Sequence, residues 1–271
     1  MDEQRFAGWV RLLEQRTGLY IAPERRAFLS NAVRAGMRAS GCATLDDYYS
    51  RLAVGKGNSP EWSLLVDRLT VPETRFFRHR ASWRLTRELG VQEALGECQH
   101  YRVLSVGCAT GEEPYSLAML LDAGTDDRQY PSGFSVTGAD ISTMALRHAR
   151  RGRYLMRRMD DIPGEFRDRY CRLVSSSHFE IVEALRRRVH FARINVRKPE
   201  NGPVSRVNLI FCQNLLIYYD RARRLEIADR LAEYLLPGGV LILGVGELLD
   251  WQHANMEKLC YPDTLAYRRT K

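Results

Sequence analysis

Two adjacent carboxylates, Glu112 and Glu113, come after a glycine-containing turn that itself follows a short apolar stretch, "YRVLSVG". Gly107 and Gly111 suit a tight turn from a strand into a helix, where the backbone comes close to a ligand. A dinucleotide would place its pyrophosphate at the start of that helix, and two carboxylates there would repel it. The Gly-x-Gly-x-x-Gly spacing and the phosphate loop are also missing. These residues therefore favour a nucleoside ligand with a cationic tail and no phosphate.

A third carboxylate, Asp140, ends the second predicted strand, "FSVTGAD". An acid at this position is placed to accept hydrogen bonds from both ribose hydroxyls of a nucleoside. The alternative is that Asp140 caps the helix that starts near Ser142. We favour the ribose role. That role would serve a dinucleotide and S-adenosylmethionine alike. S-adenosylmethionine carries a sulfonium and an ammonium and no phosphate, so Glu112 and Glu113 are what point to it.

Two asparagines, Asn195 and Asn214, follow later strands in "HFARINVRKP" and "IFCQNLLIYYD". Ligands of open α/β sheets bind outside the carboxyl ends of the strands. Cys212 and Gln213 precede Asn214, and Tyr218 follows it closely. Asparagine is also common in ordinary turns, so a turn role is the alternative for each one. Because both fall at the expected rim of the sheet, we interpret them as residues of the binding site.

The stretch "VPETRFFRHR", residues 71–80, contains two adjacent aromatic residues and an arginine where a plain connector would have turn residues. Phe76 and Phe77 fit either a binding segment or an ordinary plug between two domains. Arg78 in such a plug needs a partner, because burying an unpaired charge is costly. The stretch is therefore predicted to contribute to the site.

The elements around these residues change character along the chain. Apolar residues at helical spacing predict an all-α domain over 1–70, in which Thr44 is the expected N-cap of one helix. From residue 81 to 271, short apolar strands alternate with helices, which predicts a parallel, Rossmann-like sheet with helices on both faces. The interval around 170–192 breaks this rhythm, and we interpret it as a small antiparallel β insertion. Helix 221–236 is expected to stop at Pro237-Gly238-Gly239.

Composition narrows the class of protein. The 271 residues contain no apolar run long enough to span a membrane, and the first residues do not resemble a signal peptide. Six cysteines are scattered without a Cys-x-x-Cys pair, so neither a metal site nor disulfides are expected. The net charge is +8. It is concentrated in residues 147–193, where thirteen arginines face six acids. Such a surplus is typical of a solvated face, a nucleic-acid site or a surface for an acidic protein.

Four motifs, "ETRFFR", "TGEEPYS", "GADIS" and "IFCQNLLIYYD", resemble signatures of the CheR-type chemotaxis receptor methyltransferases. The resemblance covers nearly the whole chain, from the helical domain through the linker to the sheet with its β insertion. It implies an enzyme that transfers a methyl group from S-adenosylmethionine to glutamate side chains on cytoplasmic helices of bacterial chemoreceptors. S-adenosylhomocysteine would be the product.

The resemblance also implies a set of site residues, with Arg78 and Tyr218 beside the transferable methyl group. The family often has arginine where this chain has Gln213 and asparagine where it has Pro72. The residues expected to contact the cofactor are Thr74, Arg78, Gly107, Glu113, Asp140, Asn195, Val196, Cys212, Gln213 and Asn214.

The resemblance also implies an acidic partner for the surplus of arginines, because receptor methylation regions are rich in glutamate and glutamine. No acid occurs between residues 25 and 45. Four arginines in this interval are expected to dock the acidic helix, and for each one a merely solvated role is the alternative. They are Arg25, Arg26, Arg34 and Arg38. The expected protein is a cytoplasmic monomer that inserts into no membrane and binds no nucleic acid.

Two other functions are compatible with the sequence. A nucleic-acid methyltransferase would suit the positive charge, but amino-methylating enzymes usually present Asn/Asp-Pro-Pro-aromatic at the fourth strand, where this chain has "CQNLLIY". A silent module that binds S-adenosylmethionine would suit the fold, but it would not need both Arg78 and Tyr218.

The β insertion has a turn, "LVSSSHFEIV", without glycine. Some CheR-type enzymes bind a peptide from the receptor's C-terminus at this insertion, and these carry a longer, glycine-containing turn. We expect this chain to dock without such a tether, with Arg172, Arg186, Arg187 and Arg188 supplying general attraction.

Overall fold

The computed structural model describes residues 1–55, 59–70, 72–88, 100–126, 133–197 and 206–271. Val71, the first residue of the predicted linker, and Cys98 lie outside the described residues. No helix in the described part combines the length and the apolar character that crossing a bilayer requires.

The N-terminal part is a bundle of four helices, as predicted. Thr44 caps the third helix, and Thr44 and Asp47 form a capping box in which each side chain accepts from the other residue's backbone amide. Trp9, Tyr48 and Trp62 are almost completely buried between the helices. The helices are α1 (Glu3–Thr17), α2 (Arg26–Ala39), α3 (Leu45–Val54) and α4 (Pro60–Leu69).

The C-terminal part has a seven-stranded sheet with strand order β6-β2-β1-β7-β8-β10-β9. Strand β10 runs antiparallel to β8 and β9, and the other pairs are parallel. The strands are β1 (His100–Val106), β2 (Gly133–Asp140), β6 (Val189–Arg193), β7 (Val207–Cys212), β8 (Leu235–Leu243), β9 (Met256–Tyr261) and β10 (Thr264–Arg269).

Helices cover both faces of this sheet, so successive strand residues enter two different apolar cores. Tyr101 and Val103 belong to one core, and Leu104 and Val106 belong to the other. This double burial explains the near-continuous apolar strands. The predicted Rossmann-like fold is confirmed. The helices are α5 (Arg80–Leu85), α6 (Glu112–Asp126), α7 (Thr143–Arg151), α8 (Gly164–Tyr170), α9 (Glu183–Arg186) and α10 (Arg221–Glu233).

A second, three-stranded antiparallel sheet confirms the β insertion but with bounds that differ from 170–192. Its strands are β3 (Arg153–Leu155), β4 (Cys171–Leu173) and β5 (His178–Ile181), in the order β3-β5-β4. A three-residue strand such as β3 is too short to show a periodicity, so the sequence did not reveal it. The end of the predicted interval is strand β6, which pairs with β2 in the large sheet.

The prediction for Pro237-Gly238-Gly239 was wrong. Helix α10 ends at Glu233, and the chain has already entered strand β8 at Leu235. The three residues form an irregularity within that strand, since Val207 pairs with Leu235 while Leu209 pairs with Val240. Gly238 has φ 79°, a left-handed conformation that glycine adopts without strain. The additional residues of strand β8 therefore form a bulge near the start of that strand.

Candidate functional site

A cleft lies between the helical bundle and the carboxyl ends of strands β1, β2, β6 and β7. It contains about 810 Å³ of space outside protein atoms, including its open mouth, which is in the range of small-molecule sites. The bundle and the segment after it contribute Leu19, Leu69, Thr70 and Pro72. The sheet part contributes Val106, Gly107, Ala109, Ala139, Asp140, Ile141, Ser142, Ala145, Ile194, Val196, Asn214, Leu215, Tyr218 and Tyr219.

Asp140 is the one charged side chain among the described residues that line the cleft. Its Oδ2 accepts from the backbone N–H of Ala109 at 2.9 Å, and its Oδ1 accepts from that of Ser142 at 2.8 Å. Helix α7 is capped by Ser142, whose hydroxyl accepts from Ala145, so Asp140 is not the N-cap. Burial raises the pKa of Asp140, and the two amide hydrogen bonds oppose that rise. The carboxylate is thus fixed in orientation at the cleft wall.

The two glutamates at the start of α6 are both held by hydroxyl groups. Ser105 donates to Glu113 at 2.7 Å, and Thr110 donates to Glu112 at 2.7 Å. Burial raises the pKa of Glu113 to about 8, although Ser105 and the nearby Arg78 charge lower it. Burial also raises the pKa of Glu112 to about 7. A cation bound beside Glu113 would therefore stabilise its charged form.

The segment after Pro72 is anchored by its aromatic residues. Phe76 is buried and contacts Tyr154 and Phe179 of the small sheet, with ring centroids 5.0 and 6.1 Å apart. Phe77 stacks on Phe166 at 5.3 Å. Both aromatic residues therefore anchor the segment to the core of the C-terminal part, and these contacts are not those of a plug between two domains. Their anchoring fixes the position of the arginine that follows, Arg78.

Arg78 is half-buried and forms no ion pair with a described residue. One guanidinium nitrogen donates to the Glu73 carbonyl at 3.3 Å. The residues on both sides, Phe77 and His79, have φ of 49° and 60°, a left-handed conformation that costs a side-chain-bearing residue roughly 1–3 kcal/mol. Such strain is common at functional sites. The backbone on both sides of Arg78 is therefore held in an unfavourable conformation, and this fixes the direction in which the chain carries Arg78.

The loop after β7 closes the other side of the cleft. Asn214 has φ 60°, and its side-chain oxygen lies 2.9 Å from Nε2 of His79. Tyr218 lines the cleft, and among the described residues its hydroxyl has no hydrogen-bond partner. Its carbonyl accepts from the Tyr20 N–H at 3.0 Å, which ties this loop to the helical bundle.

Glu247 is a site residue that the sequence analysis did not identify. It is buried, and its carboxylate accepts from the backbone N–H groups of Asn214, Ile217 and Gly244 at 3.1, 3.3 and 2.8 Å. It therefore holds the loop that carries Asn214 in place. Its position after the end of strand β8, at the same edge of the sheet, is the signal that could have indicated it.

The structure brings several predicted cofactor residues to the cleft and places others elsewhere. Gly107, Asp140, Val196 and Asn214 line it, together with Tyr218. The side chain of Gln213 is buried and donates to the Ser82 hydroxyl and the Leu243 carbonyl, and Cys212 is buried within the core.

Asn195 and Thr74 also do not line the cleft. Asn195 donates to the carbonyl of Arg16 at the end of α1. Thr74 is half-buried and forms no hydrogen bond with a described residue. The cofactor contacts expected of all ten predicted residues stay predictions.

The lining fits a nucleoside with a cationic tail. Apolar side chains such as Leu19, Ile141 and Ile194 suit a purine, and Asp140 presents a carboxylate where a ribose would lie. No lysine or arginine among the described lining residues would balance a phosphate. These features match S-adenosylmethionine and disfavour a dinucleotide. Glu113 and Arg78, two of the predicted site residues, are not among the described residues that line the cleft.

Family models match both parts of the chain. The model of the CheR methyltransferase, SAM binding domain, matches residues 72–264, and that of the CheR methyltransferase, all-alpha domain, matches residues 4–70. The cofactor of the matched domain is S-adenosylmethionine, so the cofactor prediction is confirmed.

Curated relatives carry related names. A "Probable biofilm formation methyltransferase WspC" from Pseudomonas aeruginosa is 33% identical over 96% of this chain and 61% of its own length. Its namesake from Pseudomonas putida is 34% identical, covering 99% of this chain and 62% of its own. The chain thus spans about three fifths of these two relatives. A "Chemotaxis protein methyltransferase" from Salmonella typhimurium is 29% identical over 91% of this chain and 84% of its own length. The resemblance deduced from the motifs is confirmed: the chain belongs to the CheR methyltransferase family.

Proposed function

We propose that this chain methyl-esterifies glutamate side chains on cytoplasmic helices of bacterial chemoreceptors, using S-adenosylmethionine. The observation that carries the proposal is the two-domain cleft, in which the fixed Asp140 carboxylate lies on one wall and Tyr218 with its unpartnered hydroxyl on another. The names of the chemotaxis relatives support the receptor as substrate. Because the substrate helices are cytoplasmic, we place the protein in the cytoplasm, where we propose that it acts as a monomer.

The proposed cofactor contacts follow from the residues already positioned. Asp140 would hold the ribose hydroxyls, and Glu113 would face the ammonium group. Glu247 acts indirectly, because it positions the Asn214 loop. When bound, S-adenosylmethionine supplies an electrophilic methyl group on its sulfonium. The apolar walls contributed by Leu19 and Leu69 exclude water from the cleft.

The chemistry asks little of the protein beyond placement. A glutamate side chain has a pKa of roughly 4.3 and is already a carboxylate at neutral pH, so no general base is needed. The chain must hold one carboxylate oxygen in line with the methyl carbon, which is a proximity effect. Arg78 is proposed to orient that carboxylate through a hydrogen bond from a guanidinium nitrogen that is not donating to Glu73. The Tyr218 hydroxyl is proposed to hold Arg78 or the carboxylate in position.

Helix α2 offers a surface that suits an acidic substrate helix. Arg34 and Arg38 are exposed, lie one turn apart, and form no ion pair with a described residue. Arg25 instead lies over the Phe28 ring at 4.5 Å, and Arg26 donates to the Met1 carbonyl at 2.7 Å. We therefore propose that Arg34 and Arg38 contribute most of the docking attraction among the four predicted arginines.

The proposal is tested by incubating the protein with methyl-labelled S-adenosylmethionine and chemoreceptor-enriched membranes. We expect label in the receptor band, and we expect mild alkali to release it as methanol, because carboxyl esters are alkali-labile and methylated amides are not. Receptor whose methylation-site glutamates are changed to alanine is the control and should remain unlabelled.

Two results would contradict the proposal. Alkali-stable label in copurifying nucleic acid would indicate a nucleic-acid methyltransferase. Calorimetric binding of S-adenosylmethionine without transfer to several receptors would indicate a silent binding module.

A further inference from the structure

A second cavity opens at the edge of the large sheet, away from the cofactor cleft. It contains about 580 Å³ of space outside protein atoms, including its open mouth. It shares no lining residue with the cofactor cleft. Helix α7 has Ser142 of the cleft at its start and Arg150 of the cavity near its end, roughly 12 Å away at 1.5 Å per residue. The lining residues are Tyr115, Arg150, Arg186, Val189, His190 and Phe191.

Two arginines of this cavity have their guanidinium groups held by backbone carbonyls. Arg150 Nη2 donates to the Phe191 carbonyl at 2.8 Å, and Arg186 Nη1 donates to the Arg151 carbonyl at 3.1 Å. Gly152 permits the second arrangement, because a Cβ there would lie 2.7 Å from Arg186 Cδ. Each guanidinium is thus oriented in advance through one nitrogen and has further N–H groups to donate.

Arg186 also has a buried donor without a partner. Its Nε is inaccessible to solvent and forms no hydrogen bond with a described residue. A buried donor left unsatisfied costs roughly 1–3 kcal/mol, and more when the group is charged. Because Nε is enclosed, a ligand would be bound by the Nη groups of Arg186 and not by this atom.

The two acids near Arg186, Glu180 and Glu183, feel its charge but form their ion pairs with other arginines. Glu180 pairs with Arg172 and with Arg153, and Glu183 pairs with Arg187 at 2.6 Å. Neither Arg150 nor Arg186 forms an ion pair with a described residue, and no described lining residue is acidic. The exposed His190 adds a third nitrogen-bearing side chain. The charge of this cavity therefore remains available to a ligand.

We propose that this cavity is a binding site for a phosphate-type oxyanion, with Arg150 and Arg186 as its two principal ligands. The planar fork of a guanidinium matches the geometry of phosphate oxygens and donates two parallel hydrogen bonds. The rings of Tyr115 and Phe191, 5.7 Å apart at 64°, form apolar walls that keep the site from being an open charged surface. Part of the arginine surplus in residues 147–193 thus serves a defined pocket.

The test is calorimetric titration of pyrophosphate into the full chain saturated with S-adenosylhomocysteine, so that the cofactor cleft is blocked. We expect one pyrophosphate per chain. Arg150→Gln and Arg186→Gln should each weaken binding at least tenfold. The matched control is Arg187→Gln, which removes the same charge one residue from Arg186 at an exposed position outside the cavity. It should change the affinity less than threefold.

Three results would overturn the proposal. One is the absence of binding by the unmodified chain at millimolar pyrophosphate. Another is equal weakening by all three substitutions, which would indicate diffuse attraction only. The third is displacement of S-adenosylhomocysteine by pyrophosphate. If Arg186→Gln fails to fold, Arg150→Gln decides the question alone, because Arg150 is exposed at the end of a helix.

Discussion

Asp140 is the residue that we propose to recognise the cofactor most directly. Its carboxylate is fixed by the Ala109 and Ser142 amides and still has acceptor capacity for two ribose hydroxyls. Each such charge-assisted hydrogen bond contributes roughly 1.5–3 kcal/mol, and 1.4 kcal/mol corresponds to about a factor of ten. Asp140→Ala should therefore weaken S-adenosylmethionine binding at least tenfold in calorimetry. An affinity equal to that of the unmodified chain would show that the ribose lies elsewhere. Asp140→Asn keeps the shape of the side chain but removes its charge. Its affinity for S-adenosylmethionine should lie between that of the unmodified chain and that of Asp140→Ala.

We expect Glu113 to make cofactor binding depend on pH. Because its pKa lies at about 8, the free chain holds this carboxyl mostly protonated at pH 7. A cationic ligand favours the ionised form, so binding at pH 7 releases protons and the affinity rises with pH. Between pH 6 and 7.5 we expect a rise of up to about tenfold per pH unit, measured by calorimetry in buffers of different ionisation enthalpy.

Two variants check the assignment of this pH dependence to Glu113. Glu113→Gln should abolish most of the slope. Glu112→Gln should retain the slope, because the Glu112 carboxylate accepts a hydrogen bond from Thr110. The reverse pattern would assign the effect to Glu112.

Variants of Arg78 and Tyr218 should separate catalysis from cofactor binding if the proposed roles hold. Arg78→Ala should reduce methyl transfer to the receptor to background and leave the thermal midpoint within a few degrees, because Arg78 forms no ion pair with a described residue. Tyr218→Phe should lose less activity, since only a hydroxyl is removed. Both are measured as alkali-labile label on the receptor at saturating cofactor. Arg78→Lys tests whether charge alone suffices, and we expect little recovery, because the lysine lacks the planar fork.

Either of two results would revise these roles. Normal turnover by Arg78→Ala would remove Arg78 from catalysis. Equal inactivity of Tyr218→Phe and Arg78→Ala would show that the hydroxyl acts on the reacting groups themselves.

At the scale of the elements, the small sheet is the part of the chain where we expect a receptor peptide to bind only weakly. The turn between β4 and β5 is compact, and the N–H groups of Val174 and Ser175 both donate to the His178 carbonyl. We expect a peptide copying the partner receptor's last residues to bind weakly, through Arg172 and its neighbours. Attraction between exposed charges is screened over roughly 8 Å at physiological ionic strength, so raising the salt should remove it. Micromolar, salt-insensitive binding that maps to residues 170–192 would contradict this expectation, and a scrambled peptide serves as the control.

The elements also show how far the sequence could predict this fold. Long periodic segments such as α10 and apolar strands such as β1 were identified because burial on one or both faces imposes a pattern. Strand β9 was missed, because it lies at the edge of the sheet and none of its residues is buried, so its sequence carries no such pattern. Pro237-Gly238-Gly239 was misread, because the same residues that end helices also form bulges.

The site was predictable where one strand end determines the contact and unpredictable where distant elements meet. Asp140 lies at the cleft because strand β2 ends there. Asn195 was expected there for the same reason, but its amide is bound to the carbonyl of Arg16, a residue 179 positions away. The sequence contains no local trace of such a pairing. The packing of Gln213 against Ser82 is hidden for the same reason.

At the scale of the whole molecule, the two domains meet at the end of α1. Arg197 donates to the carbonyls of Glu14 and Gln15, and it crosses Gly18, where a Cβ would lie 2.1 Å from Arg197 Cδ. Gly18 has φ 78°, and Gly41 has a similar φ of 68° but open space around it. Gly41→Ala is therefore the matched control for backbone strain alone.

The two substitutions should differ in cost. Gly41→Ala should lower the free energy of unfolding by about 1–2 kcal/mol. Gly18→Ala should cost roughly 1–3 kcal/mol more, because Arg197 must move. Urea unfolding measures both. Equal losses would show that the contact between Arg197 and α1 contributes nothing to stability.

Leu19, Leu69 and Thr70 line the cleft together with residues of the sheet part, so a ligand bound there would contact both domains. Such a ligand would stabilise the contact between the two domains, and its binding would therefore change the stability of both. At a hundred times its dissociation constant it would add about 2.7 kcal/mol to the folded state, shared between bundle and sheet. We therefore expect the supply of S-adenosylmethionine to influence how firmly the bundle, with Arg34 and Arg38 on α2, is held against the sheet.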